Sequence, residues 1–131
     1  MENYEIKIID IGLLKQHEMV VECHLSKLAE EIKKDGCIKD PVIVDKNTLV
    51  ILDGHHRYNA LKRMGMKYCP VCLVDYRSGK IKVGCWRKGE TITKSDVIVA
   101  GMSQKLLVPK TSKHEIPDRP VSLMIPLERL R

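Results

Sequence analysis

Leu52-Asp53-Gly54-His55-His56-Arg57 gathers a carboxylate, a glycine, two imidazoles and a guanidinium into six consecutive residues. The run lies between a β-branched stretch and a segment with helical spacing, which predicts a strand-to-helix turn. At such a turn the free N–H groups of the first helical turn meet the positive end of the helix dipole, and Gly54 lets the main chain come close to a ligand. The natural guest is phosphate. His55, His56 and Arg57 add donors, and Arg57 can grip two phosphate oxygens at once. A plainer reading of the same residues makes Asp53 a helix N-cap and the histidines exposed first-turn residues. A Walker loop is excluded, because Gly-x-x-x-x-Gly-Lys-Ser/Thr occurs nowhere in the chain.

A second polar cluster, Thr111-Ser112-Lys113-His114, follows Pro109 and offers hydroxyls beside a cation, a combination suited to a carboxylate or a phosphate. It reads as a basic loop. The five cysteines, at 23, 37, 69, 72 and 85, are an odd number and do not form a disulfide framework. Cys69-Pro70-Val71-Cys72 has the Cys-x-x-Cys spacing, yet it sits in an apolar, strand-like run where positions i and i+3 face opposite ways. Strand packing is therefore the expected role of both thiols, and neither a zinc site nor a paired-carboxylate metal site stands out.

The elements that must position these groups follow from periodicity. Residues 4–9 alternate as a first strand. Leu25, Leu28, Ala29 and Ile32 form one helical stripe that stops at Gly36. Residues 41–44 and 48–52 read as two strands of a hairpin joined across Asp45-Lys46-Asn47. A helix over about 55–64 ends at Gly65, strands near 68–75 and 80–85 follow, and Thr93 before Asp96 opens a third helix. Beyond Val108, prolines punctuate the chain ahead of a strand-like stretch at 121–125. These elements predict one compact α+β domain over 1–131, a small mixed sheet with about three helices.

Composition narrows the partners. The chain has 131 residues, 44% hydrophobic and 31% charged, enough for a modest core and unlike a disordered chain. No apolar run approaches the ~20 residues that span a bilayer, and the acidic start lacks signal-peptide character, so the expected home is the cytoplasm, away from membranes. Residues 1–76 carry 11 basic against 12 acidic groups, net −1, whereas residues 77–131 carry 12 against 5, net +7. An anionic ligand is expected on the second half. Aromatic platforms for single-stranded nucleic acid are scarce, with one Trp, four Tyr and no Phe.

Gly54-His55-His56-Arg57 resembles the Gly-x-x-Arg nucleotide turn of the ParB/sulfiredoxin superfamily. With the following Tyr-Asn-Ala-Leu-Lys it is most similar to the free L-serine kinase branch, also known as ParB-like nuclease domains. His17-Glu18, residues 41–45, Val74-Asp75-Tyr76, Trp86-Arg87 and residues 109–114 stand in the family's order, over roughly residues 5–131. The resemblance implies a compact ParB/sulfiredoxin-like fold and transfer of a phosphoryl group from ATP or ADP, with Mg²⁺, to free L-serine. In that scheme Gly54, His55, His56 and Arg57 hold the nucleotide. Glu18 takes the hydroxyl proton, and Asp53 is a second base or orders metal and water. Val20, Trp86, Thr111, Ser112, Lys113 and His114 meet the substrate, with Trp86 otherwise a core residue.

The departures carry information too. The family loop Thr-Thr-Arg-His is Thr-Ser-Lys-His here, so Lys113 replaces a guanidinium fork by a point charge. Sulfiredoxins carry a cysteine where His55 stands, which argues against sulfinic acid repair. Partition proteins add a helix-turn-helix beyond this module, so DNA is a possible but disfavoured partner. The alternative to a kinase is a ParB-like nucleotide- or DNA-binding transcriptional regulator, and the chain is expected to act as a monomer or homodimer.

Overall fold

The structure, a computed structural model, describes residues 4–131. Its centre is a mixed sheet of four strands: β1 (Glu5–Asp10), β3 (Val42–Asp45), β4 (Ile51–Asp53) and β5 (Tyr68–Val74). The order is β1-β5-β3-β4, with β3 and β5 parallel and the outer pairs antiparallel. β3 and β5 are apolar almost throughout because both faces are covered. Along β5, Cys69 and Val71 join one core cluster and Cys72 and Val74 the other. The two thiols thus sit on opposite faces, as strand alternation requires. Burial pushes them up to about 12 at Cys69 and about 11 at Cys72.

One face is covered by α1 (Glu22–Asp35) and α2 (His55–Arg63), which bury Leu25, Ala29 and Ile32, and Tyr58, Ala60 and Leu61, respectively. Each fully buried aliphatic side chain of this kind contributes roughly 1.5–3 kcal/mol relative to exposure. Gly36 ends α1 at φ 70°, its N–H bonded to the Ile32 carbonyl at 2.9 Å. The other face receives α3 (Lys94–Ser103), opened by a capping box between Thr93 and Asp96. Here Gly101 lies so close to Val50, the residue before β4, that a Cβ would meet its methyls at 2.7 Å.

Two short ribbons complete the architecture. β2 (Cys37–Ile38) pairs with β8 (Ile125–Pro126), and β6 (Lys82–Cys85) pairs with β7 (Ser112–Glu115), both antiparallel. Three expectations change. The second hairpin strand begins at Ile51 rather than Thr48, because Asp45 Oδ2 accepts the Thr48 N–H and hydroxyl at 3.1 and 2.7 Å and draws Thr48 into the turn. The 121–125 stretch reaches strand pairing only at Ile125, since Ser122 and Met124 have φ of 56° and 54°, which no strand accommodates. The segment from Ser112 is a strand and not a loop, its alternating half-buried and exposed residues matching the edge of a ribbon.

Candidate active site

β4 stops at Asp53 and α2 starts at His55, so Gly54 is the whole connection. Its φ is 103°, and a Cβ there would lie 3.3 Å from the Val42 Cα, so the position requires glycine on two counts. Gly54 is also the N-cap of α2 and supplies no side-chain cap, which leaves the first-turn amides without a side-chain acceptor. Asp53 is not the cap. Its Oδ2 receives Arg119 Nη2 at 2.5 Å. Burial would raise the Asp53 carboxyl, but the hydrogen bond and charge of Arg119, with Arg57 and His114 behind it, hold it below the ordinary carboxylate range.

In front of this turn opens a cavity of about 490 Å³, within the size range of small-molecule sites. Residues Asp53 to Arg57 form one wall, and Ser112, Lys113, His114 and Arg119 form a second that meets it at the Arg119–Asp53 pair. Glu18 and Trp86 close the sides, and Leu28 and Leu52 add apolar surface. Arg57 is fixed by Nη1, which donates to the carbonyls of Asp40 and Pro41 at 3.4 and 2.8 Å. Trp86 is 60% exposed, which excludes plain core packing, and the Lys113 ammonium lies 4.6 Å from its ring centroid.

Glu18 ties its own segment to residues 110–112 across the chain. Its Oε1 accepts the backbone N–H groups of Thr111 and Ser112 at 3.2 and 2.8 Å and the Ser112 hydroxyl at 3.0 Å. Its Oε2 accepts the Lys110 N–H at 3.2 Å. Backbone bonds on either side, Met19 N–H to Leu107 and Leu107 N–H to His17, fix this register. A carboxylate so held has few rotamers left, and it lines the cavity that the α2 N-terminus faces.

Four histidines cluster at the site, and burial lowers the pKa of each. His55 was expected to add a donor for a ligand, but its Nε2 accepts the His17 N–H at 3.2 Å. Burial first, then the neighbouring histidines, hold its ring well below the usual 6.5. His56 is lowered less, by burial and then His24, and its Nε2 accepts the Val21 N–H at 3.2 Å. His114 is pushed down to about 4 by burial, and its Nε2 shares a hydrogen bond with the Tyr76 hydroxyl at 2.8 Å. His17 is fully buried, between Ile51 and Ser112.

Ten of the twelve expected site residues therefore line one cavity. Val20 and Thr111 do not. Val20 packs against the main core cluster, and the Thr111 hydroxyl turns back to the Val108 carbonyl at 2.6 Å, so Thr111 serves the site through its backbone N–H. Two residues escape the sequence reading. Arg119 carries only a faint signal, a cation locked between Pro117 and Pro120 in the basic half. His17 stands beside Glu18 in sequence, but nothing local says that its ring points inward.

Fold and cavity define an α+β domain with a polar, cation-lined pocket at a strand-to-helix turn. The chain belongs to the ParB N-terminal domain family, whose model matches residues 2–83. This is the superfamily expected from the Gly-x-x-Arg turn. The chain is 38% identical over 88 residues to a ParB-like protein of Sulfolobus acidocaldarius, a match covering 67% of this chain and 44% of that protein. It is 32% identical over 90 residues to an ATP-dependent L-serine kinase of Staphylothermus marinus, covering 66% and 36%. The matched stretch thus spans less than half the length of either relative. Among solved structures, a free serine kinase in complex with AMP superposes with a TM-score of 0.90 at 18% identity, covering 99% of this chain and 95% of that one. A conserved hypothetical protein from Pyrococcus furiosus gives 0.79 at 19%, covering 99% of each. At these identities the likeness is one of fold. Among the described residues no helix is long and apolar enough to cross a membrane.

Proposed function

We propose that this domain binds ATP or ADP in the cavity and transfers the terminal phosphoryl group to free L-serine, giving O-phospho-L-serine. The observation that carries the reading is a single carboxylate, Glu18, fixed by three consecutive amides over the same cavity as the uncapped N-terminus of α2. Phosphoryl transfer asks for a phosphate cradle, charge neutralisation and an oriented nucleophile more than for covalent help. The α2 amides and Arg57 form the cradle. Lys113 and Arg119 add positive charge on the second wall, where the carboxylate of serine would also be held. Glu18 accepts the hydroxyl proton as the serine oxygen attacks phosphorus. The curated kinases among the relatives support the same assignment.

Mg²⁺ fits this site only as a companion of the nucleotide. Among the described residues no three carboxylate, imidazole or thiolate groups converge on one point, and both cavity carboxylates already have partners. Mg²⁺ keeps several waters and favours phosphate oxygens, so it would enter with the nucleotide and neutralise phosphate charge, Asp53 ordering its water shell.

The test is to incubate the protein with Mg²⁺, L-serine and either ATP or ADP and to measure O-phosphoserine by mass spectrometry. Product with one donor establishes the kinase and its nucleotide. A ParB-like nucleotide- or DNA-binding regulator is the second reading, favoured by the +7 charge of residues 77–131. It expects no product and a salt-steep association with duplex DNA.

A further inference from the structure

A chain of polar groups runs from the cavity into the core behind Glu18. Glu18 Oε1 is 3.0 Å from Ser112 Oγ, Ser112 Oγ is 2.8 Å from His17 Nε2, and His17 Nδ1 is 2.6 Å from the Ile51 carbonyl oxygen. Counting protons along it leads to a definite result. A carbonyl oxygen only accepts, so His17 Nδ1 carries a hydrogen in every state. The remaining two contacts need two protons, and the Ser112 hydroxyl owns one. With Glu18 ionised and His17 neutral, one contact always lacks its hydrogen. The chain is one proton short.

Two placements supply that proton: Glu18 Oε1, or His17 Nε2. Oε1 already receives two backbone N–H groups, and protonating it would weaken both. Nε2 has only the hydroxyl oxygen before it, and His17 is fully buried with no other outlet. We propose that His17, acting through the Ser112 hydroxyl, is the store for the proton that Glu18 removes from the acceptor alcohol. The inference rests on the phosphoryl-transfer reading and deepens it. The acceptor O–H bond breaks as its oxygen bonds to the terminal phosphorus and the bond from that phosphorus to the nucleotide's bridging oxygen breaks. The released proton goes to Glu18. Glu18 passes it to the Ser112 oxygen while the Ser112 hydrogen moves to His17 Nε2. Glu18 ends as a carboxylate and His17 as an imidazolium; when product leaves, the proton returns through Ser112 to Glu18 and from there to the solvent.

The groups around His17 are balanced for such a store. Glu18 on its own segment and Asp53 at the end of β4 favour the charged ring, as does the Ile51 carbonyl. Burial opposes it, and on α2 and β7 the rings of His55 and His114 lie at centroid distances of 4.5 and 5.9 Å. Burial prevails at rest and lowers the His17 pKa, which leaves Nε2 open to receive. His17 touches no reacting atom in this scheme and is a positioning and proton-storing residue.

Histidine-ring ¹⁵N NMR on the unliganded protein reads the proton count without any turnover. The expected result is a neutral His17 with hydrogen on Nδ1 at pH 8, whose titration midpoint falls by about half a pH unit or more in Ser112→Ala and Glu18→Gln. A hydrogen on Nε2 in the neutral ring, or an unchanged midpoint in Ser112→Ala, would overturn the proposal. With nucleotide and serine, Ser112→Ala should lower kcat about tenfold, Ser112→Thr should restore it, and the solvent-isotope proton inventory should change from two protons to one. A raised KM with unchanged kcat would make Ser112 a binding residue only and sink the relay. No phosphoserine from the unaltered protein would overturn the kinase reading and this catalytic role with it, whereas the titration would still decide whether the three groups share a proton.

Discussion

The two walls of the cavity are built by different means. The Asp53 to Arg57 wall is local: one strand end, one glycine and one helix start, all contiguous in sequence. The other wall joins residues 112–114, from a two-stranded ribbon outside the central sheet, with Arg119 just beyond that ribbon, and it is held by Glu18 and Asp53 from 94 and 66 residues away. A wall made by local backbone geometry tolerates loss of its long-range bonds. A wall made by side-chain bonds does not, and here the bond that positions it also belongs to the proposed base.

Glu18→Gln should break the comparison hardest. The amide oxygen still accepts from Thr111 and Ser112, but basicity is lost, so serine phosphorylation should fall about 10²–10⁴-fold while nucleotide binding by calorimetry stays within about twofold. Turnover close to the unaltered protein would remove Glu18 from the chemistry.

Acid should loosen both walls together. His17, His55 and His114 have lowered pKa values when folded, so the unfolded chain binds more protons below its ordinary 6.5. Stability is therefore complete above about 6.5 and declines as pH falls toward the folded values. For His114, at about 4, the linkage amounts to about 3 kcal/mol by that pH. Urea midpoints at pH 7 and 4.5 measure it, and His114→Asn should flatten the slope by about one proton.

Gly54→Ala tests the local wall alone. Left-handed backbone plus contact with Val42 should cost about 1–3 kcal/mol in urea unfolding, and it should weaken nucleotide binding more than it disturbs the ribbon. Arg119→Ala tests the other wall, with an expected affinity loss of about tenfold for ADP and an Asp53 carboxyl that titrates higher by ¹³C NMR. Equal affinity would show that the Arg119–Asp53 pair serves the fold and not the ligand.

The strand-to-helix turn at Gly54 and the three helices were legible in the sequence because glycine, capping residues and helical stripes act over a few residues. Gly54, Gly36 and the Thr93–Asp96 box all act where local chemistry places them. The strand at Ser112 was not legible, since an edge strand of polar residues has no apolar alternation to announce it and depends on its partner β6. The hairpin strand began late because Asp45 competes for Thr48, a side-chain bond that periodicity does not register.

The sequence by itself determined the family, the α+β class, the strand-to-helix turn at Gly54 and the positive charge of the second half. Only the tertiary structure decided that Val20 stands aside, that Thr111 offers the site its backbone N–H and not its hydroxyl, that Arg119 pairs with Asp53, and that the buried His55 ring accepts from His17. Local backbone preference and charge are properties of short stretches of chain. The direction in which a buried side chain points, and the state in which burial leaves it, depend on residues brought together from distant parts of the chain.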